Sequence, residues 1–128
     1  MNGHEVQMRW GDLDALGHVG HVAALSYLEE GRDAFLRDHG IGREEYVVGR
    51  CSIDYRNEIE PALEAVTVEC GVRELGRSSV TTGERIVDAD GRVLVEAEFA
   101  LVLWDPDQRQ PRQISDQERA SLAGAGKA

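Results

Sequence analysis

The sequence predicts an α+β domain, one antiparallel sheet built around one buried helix. Three observations carry this. A single long helical pattern, residues 21–39, follows one short strand pattern and precedes four more. The apolar arc of that helix is too wide for a helix lying on a surface. Asp90-Gly91 sits between two alternating runs, the signature of a hairpin.

Taken in order, residues 4–10 read as the first strand and "GDLDALGHVG" as a loop. In "HVAALSYLEEGRDAFLRDH", residues 21–39, Leu25, Leu28 and Phe35 fall on one stripe, with Ala24, Tyr27, Gly31 and Ala34 beside it. The polar face is narrow: Glu30, Asp33 and Arg37. Glu29 and Arg32 read as an i,i+3 surface pair. Gly31 costs a helix about 1 kcal/mol relative to alanine, which suits a point of close approach by a neighbour. "HGIG" at 39–42 stops the helix. Apolar and polar residues roughly alternate in "EYVVGRCSIDYRN". In "PALEAVTVECGVRE", Val66, Val68, Cys70 and Val72 share one face, and Thr67, Glu69 and Arg73 the other. The last long strand has one continuous apolar face, Val93, Val95, Ala97, Phe99, Leu101 and Leu103. Its other face begins polar (Glu96, Glu98) and turns apolar (Ala100, Val102, Trp104), which predicts burial of that end against a second subunit. "DPDQRQP" ends the strand, and Ser115 with Glu118 forms a capping box for a short final helix.

The bulk properties narrow the function. A chain of 128 residues fits one domain and buries roughly 65–70% of its unfolded surface. With 41% apolar residues it is expected to fold. A net charge of −10 and a pI near 4.8 argue against nucleic acid or an anionic membrane as partner. Lys127 is the only lysine, so any basic patch is made of arginine. Cys51 and Cys70 form no C-x-x-C and no disulfide framework, so the expected location is a reducing cytoplasm. The start shows no secretory signal pattern, and no run approaches the ~20 apolar residues of a membrane span.

The stretch "RWGDLDALGHVGH", residues 9–21, concentrates the chemistry. Aspartate and glycine build turns and caps, and the segment can be read as a turn alone. A calcium loop counted from Asp12 places Leu16 and Ala23 where oxygen ligands are required, so that reading fails. Zinc or iron held by Asp14, His18 and His21 is weakly supported, since the histidines straddle the entry to the helix. In a further reading, the free N–H groups of the helix start polarise a carbonyl, and an upstream carboxylate attacks it or activates water. The chain has no G-x-S-x-G elbow to supply a serine nucleophile.

"RWGDLDALGHVGHVAALSYLEEGR" resembles the opening motif of the 4-hydroxybenzoyl-CoA thioesterase family, roughly R-[FWY]-x-D-x-D-x-x-G-H-V-N-N followed by Y-L-x-[YF]-x-E-x-x-R. Asp12, Asp14, Gly17, His18, Val19, Tyr27, Glu29 and Arg32 match it. The later "IDYRNEIEPALEAVTVECGVRELGRSS" resembles the family's strand region. The resemblance implies a hotdog fold, a curved antiparallel sheet of about five strands around one long helix, over residues 1–123, with 124–128 as a loose tail. It implies an acyl-CoA thioesterase without metal or separate cofactor, coenzyme A being part of the substrate, and a homodimer or homotetramer. Asp14 falls on the catalytic carboxylate. The oxyanion and substrate contacts fall near Gly20, His21 and Tyr27. The coenzyme A contacts fall on Gly49, Arg50, Arg77, Ser78 and Ser79, supplied across a subunit interface. Two departures stand out: Gly20-His21 replaces the usual Asn-Asn, and Ala24 replaces a larger side chain. They keep two rivals open, a hotdog hydratase or dehydratase using Asp14 with His18 or His21, and a non-catalytic acyl-binding module.

Overall fold

The structure is a computed structural model describing residues 3–60 and 63–125. In chain order it contains β1 (Gly3–Gln7), α1 (His21–Asp38), β2 (Tyr46–Tyr55), β3 (Ala65–Leu75), β4 (Ser79–Val87), β5 (Val93–Asp105), β6 (Gln110–Pro111) and α2 (Asp116–Ala123). Single 3-10 turns cover Trp10–Asp12 and Arg43–Glu45. The sheet runs β1-β3-β4-β5-β2, antiparallel throughout, and the two-residue β6 joins the end of β5. The five long strands are the five predicted. The first is shorter than the expected 4–10, because the backbone N–H of Arg9 turns back to the Asp12 carboxylate at 2.9 Å.

The sheet curls around α1, which lies across β1, β3 and β4. The buried face of the helix is Ala24, Tyr27, Leu28, Gly31 and Leu36; Leu25 and Phe35 are only half-buried. Gly31 has the predicted purpose. A β-carbon there would overlap the Val68 side chain, so only glycine lets helix and sheet approach this closely. Gly40, in the left-handed region at φ +83°, turns the chain just beyond the helix.

Arg32 overturns the expected surface pair with Glu29. It is 2% exposed. Its Nε donates to Glu84 Oε2 at 2.8 Å and a terminal nitrogen donates to Oε1 at 3.1 Å. Thr82 also donates to that carboxylate, at 2.7 Å. The guanidinium stands 3.8 Å from the centre of the Phe99 ring. The long side chain thus fills the space between α1 and β5 that the helix itself does not cover, while Glu29 points to solvent.

On β5, Val95, Ala97, Phe99, Leu101 and Leu103 are buried, and Ala100, Val102 and Trp104 are half-buried on the opposite face. The Asp90-Gly91 turn forms as predicted, with Gly91 at φ +81°. It is tightened by the Asp88 carboxylate, which accepts N–H groups from Asp90 at 3.0 Å and Arg92 at 2.9 Å. Ser115 and Glu118 cap α2 reciprocally. Gly124 and Ala125 close that helix; the remainder of the expected tail, 126–128, lies outside the described residues. Among the described residues, no helix is long and apolar enough to cross a membrane.

Candidate active site

The loop between β1 and α1 is held by its own aspartates. Asp14 Oδ1 accepts the N–H groups of Leu16 at 2.9 Å and His18 at 3.0 Å. Its backbone N–H donates to the His18 carbonyl at 2.7 Å. Gly17, at φ +75°, makes the reversal between them. One carboxylate oxygen is thereby committed to the loop, and Oδ2 has no partner among the described residues. Asp12 is tied inward. Its Oδ2 accepts the Tyr27 hydroxyl at 2.6 Å and the Arg9 N–H at 2.9 Å. Burial alone lifts the Asp12 carboxyl, but the bonds from Tyr27 and Arg9 outweigh it and hold Asp12 below the usual carboxylate range.

The helix begins beside Asp14. Gly20 is its N-cap, and no side chain caps the first turn. The N–H groups of His21, Val22 and Ala23 have no acceptor among the described residues, and no acidic side chain lies in that turn. The helix start therefore presents open donors and a partial positive charge. A β-carbon on Gly20 would meet only Asp14 Cβ, at 3.7 Å, an ordinary contact. Glycine here leaves space beside Asp14 rather than meeting a backbone demand. A groove of about 520 Å³ opens at this point, walled by Gly11, Leu13, Asp14, His21, Val22 and Ala23 among others. A second, of about 400 Å³, lies on the other side of Asp14, against His18, His21, Tyr55, Asn57 and Glu58. Asp14 and His21 stand on the ridge common to both.

Neither imidazole hydrogen-bonds Asp14. His18 Nε2 pairs with Glu58 Oε1 at 3.1 Å. His21 Nδ1 hydrogen-bonds the Tyr55 hydroxyl. Burial, and then the nearby Cys51, hold that hydroxyl above its ordinary value, so it remains a donor at neutral pH. The Asp–His pair that a hydratase would use is not assembled. Among the described residues there is no cluster of three or more His, Cys, Asp or Glu able to hold a metal.

A family model described as the thioesterase-like superfamily matches residues 8–122. The chain belongs to the thioesterase-like superfamily. It is 30% identical over 118 residues to the acyl-CoA thioester hydrolase YbgC of Escherichia coli, covering 85% of this chain and 86% of that one. A thioesterase from Thermus thermophilus, solved with coenzyme A and zinc, superposes with a TM-score of 0.83 at 27% identity, over 94% of this chain and 95% of that one. A predicted thioesterase from Bacillus stearothermophilus superposes with a TM-score of 0.87 at 23% identity, over 98% and 97% of the two chains, and shares the fold. The expected hotdog fold and thioester hydrolase class are those of the superfamily.

Within the superfamily frame, the expected site residues fall into three groups. Asp14, Gly20 and His21 come together at the head of α1. Tyr27 does not join them in the groove: it is fully buried and its hydroxyl is taken by Asp12, so it lies beneath the loop. Ala24 is likewise core, not groove wall. The third group stands elsewhere. Gly49 sits at the β2 bulge against Val102, and Arg50 is paired with Ala100, Ser79 with Val102. Arg50 opens onto a polar groove with Ser52, Asp54, Arg73, Glu96 and Glu98. Arg77 and Ser78 form the β3–β4 corner, where the Arg77 guanidinium faces the Gln113 carboxamide at 2.9 and 3.0 Å once the amide is turned to present oxygen. Tyr55, beside the Asp14 site, is opposite Val95 on β5, whereas Ser79 is opposite Val102. Seven residues of strand separate those rows, about 23 Å at 3.3 Å per residue. Arg50, five residues from Tyr55 on the same strand, stands about 16 Å away by the same measure. Sequence reasoning missed Tyr55 and Glu58 as neighbours of the site, because their link to His21 and His18 spans more than thirty residues and leaves no local pattern.

Proposed function

We propose that this chain hydrolyses acyl-CoA thioesters, with Asp14 as nucleophile or general base. The observation that carries the reading is the placement of one free carboxylate oxygen, Asp14 Oδ2, beside the uncapped start of α1. A thioester carbonyl seated there accepts the N–H of His21, and the oxyanion formed on attack is stabilised by the same donors. Asp14 either attacks the carbonyl carbon, giving an anhydride that water opens, or takes a proton from the attacking water. In both routes the C–S bond breaks, the thiolate of coenzyme A leaves, and the acyl group departs as a carboxylic acid. The Gly49, Arg50, Arg77, Ser78 and Ser79 region of a second copy of the chain receives the coenzyme A moiety.

Release of free thiol from a panel of acyl-CoAs tests this. Hydrolysis of at least one is expected, unchanged after prolonged EDTA treatment. Loss of enoyl absorbance without thiol would instead reveal a hydratase. Binding without either signal would mark an acyl-binding module. EDTA-sensitive activity restored by zinc or manganese would move Asp14, His18 and His21 to metal ligation.

A further inference from the structure

The position of Asp14 is set by a residue that never meets the groove. Tyr27 lies six residues into α1 with its ring fully buried. Helical side chains lean toward the N-terminus, so its hydroxyl arrives beneath the loop. There it donates to Asp12 Oδ2 at 2.6 Å. The same oxygen accepts the backbone N–H of Arg9 at 2.9 Å, where β1 gives way to the loop. The carbonyl of Asp12 accepts the N–H of Gly20 at 3.1 Å, where the loop gives way to α1. Asp12 is therefore the knot that joins strand exit, loop and helix start, and Asp14 follows it by two residues. Among the described residues, Tyr27 supplies the one side-chain hydrogen bond between the buried body of α1 and this loop. The other lateral ties, His18 to Glu58 and His21 to Tyr55, are between exposed side chains.

We propose that Tyr27 is a positioning residue for thioester hydrolysis: by gripping Asp12 it fixes the Asp14 carboxylate against the open N–H groups of α1. This rests on the reading of Asp14 given above. Both reacting groups touch the same carbonyl, one at its carbon and one at its oxygen, so a small displacement of the loop relative to the helix misaligns attack. Displacements near 1 Å lower turnover by about 100-fold in well-formed sites. The substrate contacts that set binding do not involve Tyr27, so the loss is expected in kcat and not in KM.

The test is Tyr27→Phe, which keeps the ring and removes the hydroxyl, assayed where near-UV circular dichroism shows variant and parent fully folded. The expected result is a kcat lower by about 10- to 100-fold with KM within about twofold. Asp12→Ala, which also frees the Arg9 N–H, is expected to lose at least as much, and the double variant no more than Asp12→Ala, because the Tyr27 hydroxyl acts only through Asp12. Asp12→Asn keeps an acceptor for Tyr27 and is expected to recover most of the activity. A merely structural tyrosine lowers the melting temperature but leaves kcat of the folded variant unchanged. Parental kcat in Tyr27→Phe, additive losses in the double variant, or equal losses for Asp12→Asn and Asp12→Ala would each overturn the proposal. Should Tyr27→Phe not fold, the comparison of Asp12→Ala with Asp12→Asn decides it. Asp14→Asn separates the two levels: full activity there sinks the reading of Asp14, whereas an inactive Asp14→Asn beside a fully active Tyr27→Phe sinks the positioning alone.

Discussion

Two aspartates two residues apart carry different burdens because their surroundings differ. Asp12 spends one oxygen on a buried tyrosine and a backbone N–H, while Asp14 keeps one oxygen open at a helix start. Asp14→Asn keeps shape and hydrogen bonding but removes the charge. A kcat lower by at least ~10²–10³ is expected with the fold intact, and a far smaller loss for Asp12→Asn; steady-state thiol release checks both. The motif singled out Asp14 as the candidate in the sequence, and the structure places it at the head of α1. Arg32 was not legible, because a helical pattern ranks an arginine beside Glu29 as surface, and its true partner, Glu84, is 52 residues away. Removing the arginine strands a buried carboxylate. Arg32→Met is expected to lose about 3–5 kcal/mol in urea unfolding at neutral pH. Adding Glu84→Gln should recover part of the loss, since an amide still accepts from Thr82.

At the scale of elements, the strand pattern and hairpin signal were readable because the period of two records which face is buried. Val66, Val68, Cys70 and Val72 face the helix as their spacing implies. The sequence also marked Gly31 as a close approach, although not the side chain it meets. Gly31→Ala sets two effects against each other. Helix propensity favours alanine by about 1 kcal/mol, while overlap with Val68 costs typically 1–3 kcal/mol. Net destabilisation is expected in chemical unfolding, reversed in part by adding Val68→Ala. The last helix has a pH dependence of its own. Arg112, at 2.8 and 2.9 Å, holds the Glu118 carboxyl below the usual glutamate range. A depressed folded value means the contribution is present above about pH 4.3, the unfolded value, and is lost as pH falls below it. Faster amide exchange at Leu122 in that acid window, absent in Glu118→Gln, is the expected signature.

For the whole molecule, the open question the sheet poses is what lies beside β2. This ten-residue strand pairs with β5 on one side only, and Val47, Val48 and Tyr55 are exposed along it. A long edge strand carrying apolar side chains is a hazard unless another chain covers it. Its two ends also carry residues of the two groups proposed for the site: Gly49 and Arg50 near the start, Tyr55 and the Asp14 loop at the finish. Antiparallel pairing of β2 with the β2 of a second copy about a two-fold axis sets the start of one against the finish of the other. It thereby brings Arg50 of one subunit toward the Asp14 of its partner. The net charge of −10 adds weight, because binding a polyanionic coenzyme A to so acidic a chain needs arginines to converge locally. A dimer or larger assembly is expected by light scattering. Sites shared between subunits are expected to show complementation: refolding Asp14→Asn with Arg77→Glu gives random dimers, of which half are mixed. Each mixed dimer holds one intact site, so activity should return to about a quarter of the parental value. An active monomer of 14.1 kDa, or no recovery although the subunits demonstrably exchange, would show that each chain works alone.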